Sequence, residues 1–173
     1  MKKKVLPFSL TAAAIILDQL SKAYIVKNWP RDHTFIADVF NNDLLWIYHV
    51  RNPAIAFSMG QNLPDRIKPF LFILLPAVVL VFLVVYYFKS DEFSMPQRWA
   101  LAGILGGGIG NLIDRIFRPD GVVDFVSVKL YGLFGFDRWP TFNLADSFVV
   151  VFGIMLLITV FMPAKKKSAE SKD

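Results

Sequence analysis

Four apolar stretches separated by polar punctuation set the plan of the chain. Residues 5–26, 69–88, 99–117 and 142–162 each come close to the roughly 20 apolar residues that a helix needs to cross about 30 Å of hydrocarbon. The second is uncharged throughout (FLFILLPAVVLVFLVVYYF) and ends in an aromatic pair suited to an interface. Its Pro76 predicts a kink or a break in the helical hydrogen bonds. Between the first two stretches and between the last two, short β-branched and aromatic runs (34–40, 44–50, 54–59 and 122–128) alternate with Asn-Asn, Asn-Pro and Pro-Asp-Gly turn signals. They predict a small sheet resting on the membrane. Residues 62–68 predict a short interfacial helix leading into the second span. The fold class is therefore a membrane all-α bundle of four transmembrane helices with a small β-sheet outside the membrane, in a single integral-membrane domain over residues 1–173.

The polar residues inside these stretches share one depth. At about 1.5 Å per residue, Asp18 and Lys22 lie about 13 and 7 Å inside the end of the first span. On the same scale Asn111, Asp114 and Arg115 fall within about 10 Å of the matching end of the third. Asn143 and Asp146 open the fourth, and Asp124 sits in the apolar run VVDFVSV just beyond the third. An Asp, Lys or Arg at mid-helix costs about 2.5–3.5 kcal/mol, so five such residues standing alone would cost on the order of 10 kcal/mol. They must pair or reach water. Asp18 and Lys22 are four apart and can bridge on one helix face. Asp114 and Arg115 diverge by about 100° and serve different partners. A structural staple between helices accounts for Asp18, Lys22 and Arg115, but leaves the carboxylates of Asp124 and Asp146 without cations. Gly103, Gly106, Gly107, Gly108 and Gly110 form small-xxx-small pairs that let a neighbouring helix approach the third span.

Composition agrees with a membrane protein and excludes disorder, a collagen-like fibre and a nucleic-acid module: 55% of residues are hydrophobic and only 19% charged. The net charge of +5 gathers in Lys2–Lys4 and Lys165–Lys167. Lys and Arg are densest at the two termini and in the short loop 89–98, which predicts cytoplasmic termini and a site near the extracytoplasmic face. Lys2–Lys4 followed by an apolar run also resembles a cleavable leader, but Asp18, Gln19 and Lys22 interrupt the place for its cleavage site.

Two carboxylates close together in a low-dielectric site cannot both ionise easily, so the pair shares a proton. Such a pair can activate water as a base and protonate a carbonyl or leaving amine as an acid. No cysteine is present, which removes disulfides, thiol nucleophiles and thiolate metal sites. His33 and His49 stand in an outer loop without metal-ligand spacing, and no GxSxG elbow occurs. No cofactor or metal is expected. The same carboxylates would also suit a proton- or ion-coupled carrier, although such sites usually lie at the midplane between repeated halves.

Asp18-Gln19-Leu20-Ser21-Lys22, the run from Gly106 to Arg115 (GGGIGNLIDR), Val122-Val123-Asp124-Phe125 and Phe142-Asn143-Leu144-Ala145-Asp146 together resemble the bacterial lipoprotein signal peptidases, the type II signal peptidases. The order and spacing of the motifs and the four-span layout match over essentially the whole chain. One departure is visible: the family's Asn-x-Gly-x-Ala-Phe reads Asn52-Pro53-Ala54-Ile55-Ala56-Phe57 here. The resemblance implies an intramembrane aspartyl endopeptidase of the bacterial inner membrane. It would cut signal peptides from diacylglyceryl-modified prolipoproteins just before the lipidated cysteine. It also implies Asp124 and Asp146 as the catalytic dyad. Asn111, Asp114, Arg115 and Asn143 would orient the dyad and bind substrate, with Asp18, Lys22 and Asn52 supporting. Its partners would be the prolipoproteins, membrane lipid and globomycin-type inhibitors, met by a monomer.

Overall fold

The computed structural model describes residues 2–53 and 63–161. The strand expected over 54–59, the motif residues from Ala54 to Phe57, the first residue of the expected interfacial helix and the basic tail lie outside the described residues. A short helix α1 (Lys2–Val5) is broken from α2 (Phe8–Asn28) at the buried Pro7, and the two together form the first span. The second is a π-helical turn, Phe70–Leu74, continued by α3 (Leu75–Lys89). The third and fourth are α4 (Met95–Phe117) and α5 (Leu144–Phe161). All four are long and apolar enough to cross a membrane. The break in helical hydrogen bonds expected at Pro76 takes the form of the π-helical turn just before it. Proline offers no N–H to the carbonyl four residues back, and the Leu75 N–H reaches Phe70 instead. The stretch ahead of this span is described from Leu63, where a turn at Asp65–Ile67 leads directly into helix.

Glycine decides how closely the helices of the bundle pack. A Cβ on Gly107 would stand 2.3 Å from the carbonyl oxygen of Ala145, and one on Gly110 would stand 2.7 Å from the Asp18 carboxylate. Bare backbone at these two positions lets the start of α5 and the middle of α2 close on α4. The far end of the bundle is clasped by Lys4 and Arg98. Lys4 donates to the carbonyls of Phe88 and Ser90, and Arg98 to those of Tyr87 and Ser90.

At the other end lies an antiparallel sheet of β1 (Thr34–Asp38), β2 (Leu45–Asn52) and β3 (Val122–Val128), in that order. Ile25, Val123 and Phe125 make the apolar seam between the sheet and α2, with Trp29, Ile47 and Leu144 packed against them. After β3 the chain returns through Phe142. Its carbonyl accepts the N–H groups of Phe125 and Val126, and its N–H reaches Val126. That stitch fixes the first turn of α5 beside β3.

Candidate active site

The start of α5 is capped by its own sequence. Asn143 stands just before the helix, and its side-chain oxygen accepts the Asp146 N–H at 2.9 Å. Asp146 returns the bond, with Oδ2 accepting the Asn143 N–H at 3.0 Å. This is a capping box with Asn and Asp in place of the usual Ser and Glu. The second N–H of the turn, from Ala145, is taken at 3.0 Å by Asp18, reaching across from α2. Asp146 is thus held rigidly, with its other oxygen receiving the Asn111 amide at 2.7 Å.

Asp124 approaches from β3. Its Oδ1 accepts the Asn143 amide at 2.7 Å and its Oδ2 accepts the Asn52 amide, carried on β2, at 3.1 Å. One residue, Asn143, therefore touches both carboxylates. Asp124 is 2% exposed. Burial, and after it the neighbouring Asp146 charge, push its pKa up from 3.8 to about 7.

Behind this pair lies a closed ionic layer. Lys22 is fully buried, and its three N–H groups have three acceptors: Asp18 at 2.8 Å, Asp114 at 3.1 Å and the Asn111 side-chain oxygen at 2.9 Å. Asp114 also receives Gln19 at 3.0 Å, Arg118 at 3.1 Å and the backbone N–H of Val123 at 3.1 Å. That last bond ties α4 to the strand residue next to Asp124. Asn111 joins the layers: its oxygen accepts from Lys22 and Asn143, and its amide donates to Asp146.

The two carboxylates line a cavity of about 670 Å³ whose polar rim also includes Arg51, Asn52, Asn111 and Arg115. Its other wall is apolar, built from Val79, Leu80 and Leu83 of α3, Ile104 of α4, and Val149 and Val150 of α5. Asp18, Lys22 and Asp114 do not line it.

All nine residues singled out from sequence thus fall in one region, with a division of place. Asp124, Asp146, Asn52, Asn111 and Arg115 face the cavity, Asn143 joins the two carboxylates, and Asp18, Lys22 and Asp114 brace from behind. The staple expected to use Arg115 uses Arg118 instead, because Arg118 is one helical turn from Asp114 and shares its face, whereas Arg115 points into the cavity. Gln19 and Arg118 were missed as members of the site. Arg118 was detectable by its spacing of four from Asp114; the backbone donors of Val123 and Ala145 carry no side-chain signal.

Fold and site together define a multi-pass membrane protein with a pair of carboxylates opening onto a mostly apolar cavity. The family model for signal peptidase (SPase) II matches residues 10–162. Among relatives, the lipoprotein signal peptidase of Treponema pallidum is 38% identical over 98% of this chain and 90% of its own length. That of Borrelia duttonii is 47% identical over 89% of this chain and 88% of its own. A bacterial membrane enzyme solved in meso shares the fold, with a TM-score of 0.75 at 24% identity, over 97% of this chain and 94% of that one. The chain belongs to the signal peptidase II family.

Proposed function

We propose that the protein is an intramembrane aspartyl endopeptidase that removes signal peptides from diacylglyceryl-modified prolipoproteins, with Asp124 and Asp146 as its catalytic pair. The observation that carries this reading is the single asparagine, Asn143, that hydrogen-bonds both carboxylates where they open onto the cavity. Family membership supports the same reaction class and offers nothing to a carrier reading of these carboxylates.

The chemistry needs one carboxyl protonated and one ionised. The ionised group takes a proton from a water molecule as its oxygen attacks the scissile carbonyl. The protonated group gives its proton to the carbonyl oxygen, making a neutral gem-diol. Collapse then breaks the C–N bond as a proton passes to the departing amine, and the pair returns to one proton between two acids. With its pKa raised to about 7, Asp124 is suited to hold that proton near neutrality. Asn111 and Asn143 fix both carboxylates, and Arg115, on the rim, is placed to orient a substrate carbonyl.

The cavity fits a lipid-anchored peptide. Its apolar wall along α3, α4 and α5 would receive acyl chain or signal peptide from within the bilayer. Its polar end meets the sheet, where an unwound segment could be held extended. In the orientation read from the basic residues, the termini are cytoplasmic, the site faces the extracytoplasmic side of the inner membrane, and the chain works as one monomeric peptidase domain without a cofactor. Globomycin-type inhibitors would occupy the same cavity.

The test is incubation of the purified protein with a diacylglyceryl-modified precursor, followed by mass analysis. A free signal peptide and a product beginning with the lipidated cysteine are expected. Cleavage elsewhere, or equal cleavage of the unlipidated precursor, would overturn the assignment.

A further inference from the structure

His49 is wholly buried in β2, three residues before Asn52. Its Nδ1 lies 2.7 Å from the carbonyl oxygen of Trp29, the residue at the end of α2. A carbonyl only accepts, so the proton is on Nδ1. Nε2 is buried without a partner among the described residues.

The strand is irregular at this point. Ile47 pairs with Val126 and Val50 with Asp124, so Tyr48 and His49 together oppose a single residue of β3. Such a bulge bends a strand and re-aims the residues beyond it. In β2 those residues are Val50, Arg51 and Asn52, in register with Asp124, Val123 and Val122.

We propose that His49 is a positioning residue: by donating to Trp29, it pins the β2 bulge to the end of the first span and so sets where Asn52 delivers its amide to Asp124. The proposal rests on the reading of Asp124 as one of the catalytic pair. His49 does not line the cavity and acts through the strand. The groups acting on Asp124 come from several elements: Asp146 from α5, Lys22 from α2, Arg115 from α4, Asn143 ahead of α5 and Asn52 from β2. Of these, Asn52 is the one whose position depends on the bulge. Its amide favours the ionised form of Asp124, so withdrawing it moves the titration of the pair upward.

The test compares His49→Leu, His49→Asn and His49→Gln in the full-length protein, with Asp124→Asn alongside. Leu keeps the bulk and loses the donor, Asn places its amide near the position of Nδ1, and Gln places it near Nε2. For the Leu and Gln variants kcat should fall about tenfold with KM changed less than about twofold. The alkaline limb of the pH profile should rise by about half a unit in both, whereas the Asn variant should restore kcat and limb. Equal kcat and an unshifted limb in the Leu and Asn variants would overturn the role. If the Leu variant does not fold, equal behaviour of the Asn and Gln variants would overturn it. The outcome for Asp124→Asn is separate: turnover there removes the catalytic reading itself, whatever the His49 series does.

Discussion

Asn143 donates its side-chain amide to Asp124 at 2.7 Å while its backbone N–H and side-chain oxygen exchange hydrogen bonds with Asp146. The residue that caps α5 is thus also the spacer between the two acids, and secondary structure and site geometry share one set of atoms. Replacing Asn143 with Ala removes the amide from Asp124 and half of the capping box. Loss of a cap costs about 1 kcal/mol of stability. Turnover should fall much further, by about 100-fold, since misplacement of about 1 Å costs that much. Thermal unfolding and initial rates on the same preparation separate the two effects.

Lys22 is the sole cation that meets both Asp18 and Asp114 among the described residues. Lys22→Met leaves the buried Asp18 carboxylate without a cation and should cost about 3–5 kcal/mol. Adding Asp18→Leu should recover part of that, because Asp114 keeps Arg118 and the Val123 N–H. Equal melting temperatures for the single and double variants would show that the buried pair is not what limits stability.

The approach of α5 to α4 depends on Gly107. In Gly107→Ala the new methyl meets the Ala145 carbonyl, a backbone atom that cannot rotate aside. The start of α5 must shift, carrying Asp146 with it, at a cost of about 1–3 kcal/mol. Activity should fall with stability, whereas Gly153→Ala, which meets nothing within 4 Å, should leave both unchanged. Melting curves and rates for the two variants check this.

The raised pKa of Asp124 has a pH signature. Its carboxyl holds a proton more tightly folded than unfolded, so its contribution to stability is fully present below pH about 4 and lost as pH rises to about 7. Wild-type protein should therefore lose melting temperature across that window relative to Asp124→Asn, in which this contribution is absent. Turnover should decline above about pH 7, as the pair gives up its shared proton.

Much of this arrangement was legible in the sequence because it follows from local periodicity. The four spans follow from hydropathy, and the shared depth of Asp18, Asp114 and Asp146 from the helical rise, with Asp124 in the apolar run just beyond the third span. The pairing of Asp18 with Lys22 follows from a spacing of four. Asp114 and Arg115 diverge as their 100° step requires, with Arg115 lining the cavity, while the cation that pairs with Asp114 one turn on, Arg118, lies past the expected end of the third span. The return of Phe142 to β3 and the bulge at Tyr48–His49 were not legible, because they are long-range backbone pairings without a side-chain pattern. Those pairings bring β3 to the start of α5.

The central claim is that Asp124 and Asp146 perform the hydrolysis, and initial-rate cleavage of a diacylglyceryl-modified precursor by Asp124→Asn and Asp146→Asn tests it most directly. Each variant should remain folded and monodisperse with turnover reduced by at least about 10⁴-fold, consistent with residues that act as a unit. Near-wild-type turnover by either one would contradict the account.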